Sequence, residues 1–138
     1  MRDRFDLFRV MMDAIRGFGE DIRDGDIVVL SSKFVALSEG RVVRLDRVKP
    51  SPLAERLARK LYMPKSLVEL VLREADEVYS GIPGFILTLK YGILVPNAGV
   101  DRSNIMPGYA ILYPTRPFIR AEVLGGGSSS SLVGRLVS

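Results

Sequence analysis

One polar stretch, residues 97–104, carries the side chains best suited to chemistry: two amides, a carboxylate, a guanidinium and a hydroxyl. Asp101 could ligate a hard cation such as Mg²⁺, because these cations prefer carboxylate oxygens. Asn97 and Asn104 could add neutral oxygens or amide donors, and Arg102 could face a phosphate. The same residue types form structural turns by hydrogen bonding to their own backbone, and composition alone favours that interpretation.

A second candidate is the run Ser31, Ser32 and Lys33, which follows an unbroken apolar segment at residues 27–30. Such a segment is typical of a strand covered on both faces, so these side chains are expected at the carboxyl end of a strand. Ligands commonly bind there, and Lys33 would be a point charge for a phosphate. The alternative, which spacing alone favours, is a surface lysine beside hydroxyls that satisfy the strand end.

The 138-residue sequence contains neither histidine nor cysteine. This composition excludes disulfides, thiolate or His-ligated metal sites, and the Ser-His-Asp and Cys-His nucleophile systems. Chemistry must use carboxylates, lysine, arginine, hydroxyls, amides or backbone groups, which suit Mg²⁺, Mn²⁺ or Ca²⁺. The net charge of +4 mildly favours an anionic partner, but no basic cluster with interleaved aromatics supports nucleic-acid binding.

The elements expected to position these residues belong to an α+β domain, in which about three helices pack on a mixed sheet with hairpins. Apolar spacing predicts helices over residues 4–18, 52–62 and 66–77, and a short one over residues 117–124. Ser51 is the predicted N-cap of the second helix, while Ser66 with Glu69 is the predicted capping box of the third.

Two hairpins are predicted, in addition to strands at residues 78–79 and 109–113. The first pairs residues 34–37 with 41–45 across Glu39-Gly40, and the second pairs residues 85–89 with 93–95 across Tyr91-Gly92.

One domain is expected over residues 1–124, followed by a Gly/Ser-rich flexible tail at residues 125–138. No apolar stretch approaches the ~18 residues that a bilayer span requires. Charged residues interrupt the apolar residues of the amino-terminal segment, so a cytoplasmic protein is expected.

Four segments together resemble one protein family. They are GDIVVLSSKFVALSEGRVV at residues 25–43, PSPLAERLA at 50–58, LVELVLREADEV at 67–78 and YGILVPNAGVDRSN at 91–104. In this order and spacing they are similar to the coenzyme F-420:L-glutamate ligases, the gamma-glutamyl ligases of deazaflavin coenzyme biosynthesis. The similarity covers residues 5 to about 124 and corresponds to the amino-terminal portion of the family.

The resemblance implies an unusual α+β fold, a homodimer, and a reaction that uses GTP and a divalent metal, Mn²⁺ or Mg²⁺. A carboxylate of the coenzyme precursor would be activated as an acyl phosphate, which the amine of L-glutamate attacks. The resemblance makes Asp101 a metal ligand and Asn104 a nucleotide contact. It makes Ser32 and Lys33 the pair nearest the guanine nucleotide.

The sequence also departs from the family pattern. Leu37 and Ser38 precede Glu39-Gly40 where the family usually has Ser-Lys before Ala-Glu-Gly, so a basic nucleotide contact is lost. The family's first nucleotide-binding strand and its downstream metal-binding segment are not found in this sequence. Two functions are therefore expected as alternatives: part of a ligase that needs its carboxyl-terminal portion, or a non-catalytic ligase-like remnant that acts as a dimerisation or interaction module.

Overall fold

The computed structural model of the chain describes residues 4–125. Within this range the fold is α+β, as predicted, with five α-helices and two small antiparallel sheets. The chain divides into two compact units: residues up to Arg41 together with those from Pro114 onward, and Val42–Tyr113. Apart from Gly125, the predicted tail at residues 125–138 lies outside the described residues. Between residues 4 and 125, no helix has the length and apolarity needed to cross a bilayer.

The described residues of the first unit contain three helices joined by irregular segments. Its helices are α1 (Leu7–Gly17), α2 (Ser32–Ser38) and α5 (Pro117–Leu124). The helix predicted at residues 4–18 corresponds to α1, whose buried residues Leu7 and Met11 lie one turn apart on one face. Asp6 caps α1 because its carboxylate accepts a hydrogen bond of 3.0 Å from the Arg9 amide.

Two strands predicted in the first unit are wrong. Residues 27–30 form no strand, and Ile27 and Val29 are 77% and 57% exposed. Residues 34–37 lie within α2, so the hairpin predicted across Glu39-Gly40 does not form. The helix forms because Ser31 accepts a hydrogen bond from the Phe34 amide as N-cap, and the buried residues that follow have helical spacing.

The second unit contains two helices and all five strands of the described chain. They are β1 (Val42–Arg44), α3 (Pro52–Leu61), α4 (Lys65–Glu74), β2 (Glu77–Ile82), β3 (Phe85–Lys90), β4 (Ile93–Pro96) and β5 (Tyr109–Ile111). One sheet has the order β2-β3-β4, and β1 pairs with β5 in the other. The predicted turn at Tyr91-Gly92 is confirmed, since both residues have positive φ, 52° and 75°, as tight hairpin turns require.

The hydrophobic core of the second unit lies between α3, α4 and the sheets. Alternate residues of β3 are buried, with Ile86 and Thr88 both almost completely excluded from solvent. Val68 and Val71 of α4 belong to the same apolar cluster. This packing holds β3 in place, and neighbouring loops are hydrogen-bonded to it.

The prediction for the start of α3 is confirmed and that for the start of α4 is wrong. Ser51 caps α3 by accepting a hydrogen bond of 3.2 Å from the Ala54 amide, and Pro52 opens the helix. The α4 helix begins after Pro64 without a side-chain cap. Glu69, the expected partner of Ser66, instead accepts hydrogen bonds from the Ser51 amide and from Arg73.

Candidate functional site

The polar loop predicted at residues 97–104 follows β4 and is bonded to β3. It opens with a turn of 3-10 helix, Asn97–Gly99, in which all three residues have positive φ. The Asn97 Oδ1 accepts a hydrogen bond of 2.9 Å from the Ile86 amide, and the Ala98 amide donates to the buried Thr88 hydroxyl over 2.8 Å. Asn97 and Ala98 have side chains that disfavour this conformation, so these bonds hold the loop in a defined shape.

An aromatic side chain closes the loop on one side. The ring of Tyr113 lies directly against Gly99, where a Cβ atom would overlap it. The Tyr91 ring lies 6.4 Å from the Tyr113 ring between centroids. Burial, and then the nearby Tyr91, raise the pKa of the Tyr113 hydroxyl above its ordinary value, so this group is neutral at physiological pH.

Asp101 is held by both its backbone and its side chain. Its amide and carbonyl exchange two hydrogen bonds with Ile111, of 2.9 and 2.8 Å, which fix it beside β5. Its carboxylate accepts hydrogen bonds from the Ser103 amide, 2.7 Å, and from the Ser103 hydroxyl, 2.8 Å. The carboxylate therefore takes part in the structural turn that composition favoured.

The four predicted site residues belong to two different units. Asp101 and Asn104 lie in the same loop of the second unit, where Asn104 is exposed and has a φ of 54°. Ser32 and Lys33 lie in the first unit, as the first two residues of α2. They are not at the end of a strand, as the sequence predicted: Ser32 is buried and Lys33 half-buried.

The loop contains one carboxylate, Asp101, so it could supply one ligand to a metal bound with phosphates but not a complete set of metal ligands. Across residues 4–125, no three Asp or Glu side chains come together in a group that could hold a metal. Mg²⁺ typically binds to one or two carboxylates together with water and substrate phosphates. If a metal binds here, Asp101 would supply one such carboxylate oxygen, and phosphates and water would supply the remaining ligands.

Glu39 is a buried polar group that the sequence did not identify, because Glu39-Gly40 was interpreted as a hairpin turn. Its side chain is 5% exposed and accepts hydrogen bonds from the Thr115 amide and hydroxyl, both 2.8 Å. A third hydrogen bond of 2.9 Å comes from the Arg120 guanidinium. The C-terminal end of α2 is thereby fixed to the start of α5 within the first unit.

A pocket of about 490 Å³ lies where α3 ends and α4 begins. Its lining combines charged, aromatic and apolar side chains, from Glu55, Ala58, Arg59, Tyr62, Met63 and Lys65. No motif in the sequence pointed to it. The available signal was the helix break at Tyr62-Met63-Pro64, which places the ends of two helices side by side.

Comparison with known proteins identifies the family. The family model described as F420-0:Gamma-glutamyl ligase matches residues 1–127. The chain belongs to this ligase family. Its matched region includes every residue of the loop at 97–104, the start of α2 and the pocket between α3 and α4.

Several named members of the ligase family are similar to the chain. The coenzyme F420:L-glutamate ligase of Methanopyrus kandleri is 38% identical over 98 residues, which are 70% of this chain and 39% of that protein. That of Methanothermobacter thermautotrophicus is 36% identical over 85% of this chain and 47% of its own length. That of Archaeoglobus fulgidus is 37% identical, with shares of 73% and 41%. The chain thus spans less than half the length of these relatives.

Proposed function

We propose that this chain forms part of a GTP- and metal-dependent ligase that acts in the cytoplasm and adds L-glutamate to a deazaflavin coenzyme precursor. Support for the substrates comes from the relatives, whose names specify coenzyme F420 and L-glutamate. The observation that carries the proposal for this chain is the loop after β4, which holds the Asp101 carboxylate in a defined position beside the Ser103 hydroxyl. Glutamyl transfer is proposed to need the portions of the relatives that this chain does not span.

The proposed reaction proceeds in two steps. The terminal phosphoryl group of GTP is transferred to a carboxylate oxygen of the precursor, which gives an acyl phosphate and GDP. The glutamate nitrogen then attacks the acyl carbon, so that a C–N bond forms, the C–O bond to phosphate breaks and the nitrogen loses a proton. Mn²⁺ or Mg²⁺ would offset the charge on the phosphate oxygens.

Each of the four site residues has a proposed role in this reaction. Asp101 supplies one oxygen ligand to the metal, and Asn104 contacts the nucleotide from the same exposed loop. Ser32 contributes a hydroxyl and Lys33 a positive charge to nucleotide binding. Phosphates attract Lys33 electrostatically without requiring a defined donor geometry, as is typical of lysine.

A calorimetric titration with GTP and Mn²⁺ tests the proposal. We expect weak, Mn²⁺-dependent binding to this chain, which Asp101→Asn removes, because an amide oxygen is a poorer ligand for a hard cation than a carboxylate. The amide oxygen of the substituted side chain would still accept the hydrogen bond from the Ser103 amide, so the loop is expected to keep its shape. The control is Asp46→Asn, which changes an exposed carboxylate of the same unit. No heat with GTP, or equal heats for Asp101→Asn and the wild type, would contradict the proposal.

A homodimer is part of the proposal, and the edges of the three-stranded sheet support it. All six residues of β2 are exposed, and the exposed apolar side chains on β2 and β4 include Val78, Tyr79, Ile82, Ile93 and Leu94. Unpaired strand edges with apolar side chains are typical of protein contacts. Light scattering should give the mass of a dimer, which Ile82→Lys reduces to that of a monomer and the control Glu77→Gln leaves unchanged. A monomeric wild type would refute the dimer.

The second candidate function is a non-catalytic dimerisation or interaction module. This function is favoured by Leu37 of α2, which lies where the resemblance described above implies a lysine that contacts the nucleotide. A stable dimer that shows no heat with GTP and Mn²⁺ would support this second function over the first. Restoring the cation with Leu37→Lys provides a further check, since a ligase portion should then bind GTP more tightly.

A further inference from the structure

The pocket between α3 and α4 has a floor and a charged rim. We call it the α3–α4 pocket, lined by the six residues given above. Ala58 and Met63 are 6% and 8% exposed and form apolar lining, whereas Glu55, Arg59 and Lys65 are exposed. Its volume of about 490 Å³ falls within the ~300–1,000 Å³ range of small-molecule sites.

The rim carries two positive charges and one negative charge. The Lys65 ammonium lies 3.6 Å from the Glu55 carboxylate, and these side chains are 63% and 48% exposed. An exposed ion pair of this length contributes little to stability, so a ligand with matching charges can replace it. Arg59 adds a planar guanidinium, which is suited to bidentate binding of a carboxylate.

Tyr62 lines the pocket at the end of α3. It ends α3 in the left-handed conformation, with a φ of 53°, and its side chain is 84% exposed. A residue in this conformation commonly ends a helix, and the Met63 amide here donates to the Ala58 carbonyl. A tyrosine held in this way presents an aromatic face and a hydroxyl at the mouth of the pocket.

The pocket and the loop that carries Asp101 lie at the same end of β3 within the second unit. The Leu61 carbonyl, next to Tyr62, accepts a hydrogen bond of 2.7 Å from the Gly84 amide at the β2–β3 turn. Two residues further along, the Ile86 amide donates to Asn97 at the start of the loop. The end of α3 beside the pocket and the start of the loop that carries Asp101 are therefore both attached to the same part of the sheet.

We propose that the α3–α4 pocket binds an acidic amino acid, with Arg59 and Lys65 on its two carboxylates and Glu55 on its ammonium group. The ligand's net charge of −1 matches the pocket's net charge of +1, and each ionic group has an opposite partner. Glu55 disfavours a polyphosphate or nucleic acid, because these ligands lack a cation to face it. The identification of the amino acid as L-glutamate rests on the proposed function.

The test is an NMR titration of the ¹⁵N-labelled chain with L-glutamate, with and without GTP and Mn²⁺. We expect saturable shifts at residues 55–65. Arg59→Gln and Lys65→Gln should each weaken binding about tenfold, which is the usual effect of losing one charge-assisted hydrogen bond. Arg56→Gln and Lys60→Gln are matched controls, since both remove an exposed cation of α3 that does not line the pocket. They should leave the affinity unchanged.

Glutarate, which has both carboxylates and no ammonium group, tests the role assigned to Glu55. The wild-type chain should bind glutarate about tenfold more weakly than L-glutamate, and Glu55→Gln should remove this preference. The pocket proposal is overturned if L-glutamate causes no saturable shifts under either condition, or if Arg56→Gln weakens binding as much as Arg59→Gln does. GTP binding is measured separately, so failure of the pocket proposal and failure of the nucleotide proposal can be distinguished.

Discussion

The Lys90 and Glu74 side chains form an ion pair that is almost fully shielded from water. The Lys90 ammonium donates to the Glu74 carboxylate and to the Glu74 backbone carbonyl, both over 2.7 Å. The two side chains are 6% and 16% exposed. A charge in such a place is tolerated because its partner is present, so removing one member leaves the other poorly solvated.

Lys90→Met should destabilise the chain by about 3 kcal/mol, because it removes the Lys90 ammonium from a largely buried carboxylate. The double variant Lys90→Met/Glu74→Leu should recover most of that loss, since an apolar pair of similar size carries no desolvation penalty. Urea unfolding followed by circular dichroism measures both. If the single and double variants are equally stable, the loss of stability is not caused by leaving the Glu74 charge without Lys90.

Glu69 is expected to make stability depend on pH. Hydrogen bonds from Ser51, and more weakly from Arg73, hold the pKa of Glu69 below its ordinary value in the folded state. A carboxylate with a depressed folded pKa stabilises the fold above its unfolded pKa. This contribution is lost as the pH falls through the folded pKa. The contribution of Glu69 to stability should therefore change only at acid pH and stay constant near neutral pH.

Glu69→Gln should lower stability at pH 7 and have a smaller effect at about pH 3, which lies below the ordinary pKa of a glutamate, because this carboxyl is then protonated in the unfolded wild-type chain. Urea unfolding at the two pH values gives the comparison. A difference between variant and wild type that stays constant over this range would mean that the ionised form of Glu69 is not what stabilises the fold.

Some turns of this fold need glycine only because the backbone has a positive φ, whereas others also need it because a neighbouring atom leaves no room for a side chain. Gly99 and Gly92 have similar φ values, 73° and 75°. A Cβ at Gly92 would meet no atom within 4 Å, whereas a Cβ at Gly99 would overlap the Tyr113 ring. The two positions therefore form a matched pair in which only the steric contribution differs.

Gly92→Ala should destabilise the chain by about 1 kcal/mol, the usual cost of an L-residue in the left-handed region. Gly99→Ala should have an effect at least about 1 kcal/mol larger, because Tyr113 must also move. Thermal unfolding measures both variants. Equal melting temperatures would show that the Tyr113 ring shifts freely, and that it does not define the shape of the loop.

Helix starts give a further comparison between two serines. Ser51→Ala removes the cap of α3 and should destabilise the chain by about 1 kcal/mol, while its backbone amide can still donate to Glu69. Ser66→Ala should change stability by less than about 0.5 kcal/mol, because α4 begins at Lys65 without a side-chain cap. Urea unfolding at pH 7 provides the measurement. A larger effect at Ser66 would restore the predicted capping box.

The sequence predicts an element well where local signals agree. Ser51-Pro52 predicts the start of α3, and Tyr91-Gly92 predicts the β3–β4 turn, because caps and tight turns depend on adjacent residues. Residues 34–37 are predicted as a strand but lie within α2, because a short apolar run has no clear period. The capping box predicted at Ser66 and Glu69 is wrong for a different reason: Glu69 accepts a hydrogen bond from Ser51, 18 residues away, and no local pattern reveals such a partner.

The sequence also predicts part of the candidate site, as it does part of the fold. The polar loop at residues 97–104 was found from its composition, and both its expected turn and its exposed polar groups are present. The α3–α4 pocket could not be found in this way, because it arises from packing of two helix ends. Glu39 was missed because its partners Thr115 and Arg120 are 76 and 81 residues downstream.

The chain as a whole builds its first unit from two stretches that are far apart in sequence. Residues up to Arg41 and those from Pro114 onward belong together, and the entire second unit is inserted between them. Bringing such distant segments together has an entropic cost that grows with the length of the intervening loop. Contacts that join the two stretches are therefore required to hold the unit closed, and Glu39 makes three of them.

Glu39→Gln should loosen the second stretch of the first unit, because an amide cannot keep the ionic hydrogen bond from Arg120 and the Thr115 bonds together. Hydrogen exchange of the α5 amides should become at least about tenfold faster, since losing a buried charge-assisted contact costs about 1.5–3 kcal/mol. The control is Glu122→Gln, which changes an exposed carboxylate on α5 itself. Exchange of the β3 amides serves as the internal reference for global unfolding. If α5 exchanges at the wild-type rate in Glu39→Gln, the two stretches are joined by other contacts, and the buried carboxylate is not what closes the unit.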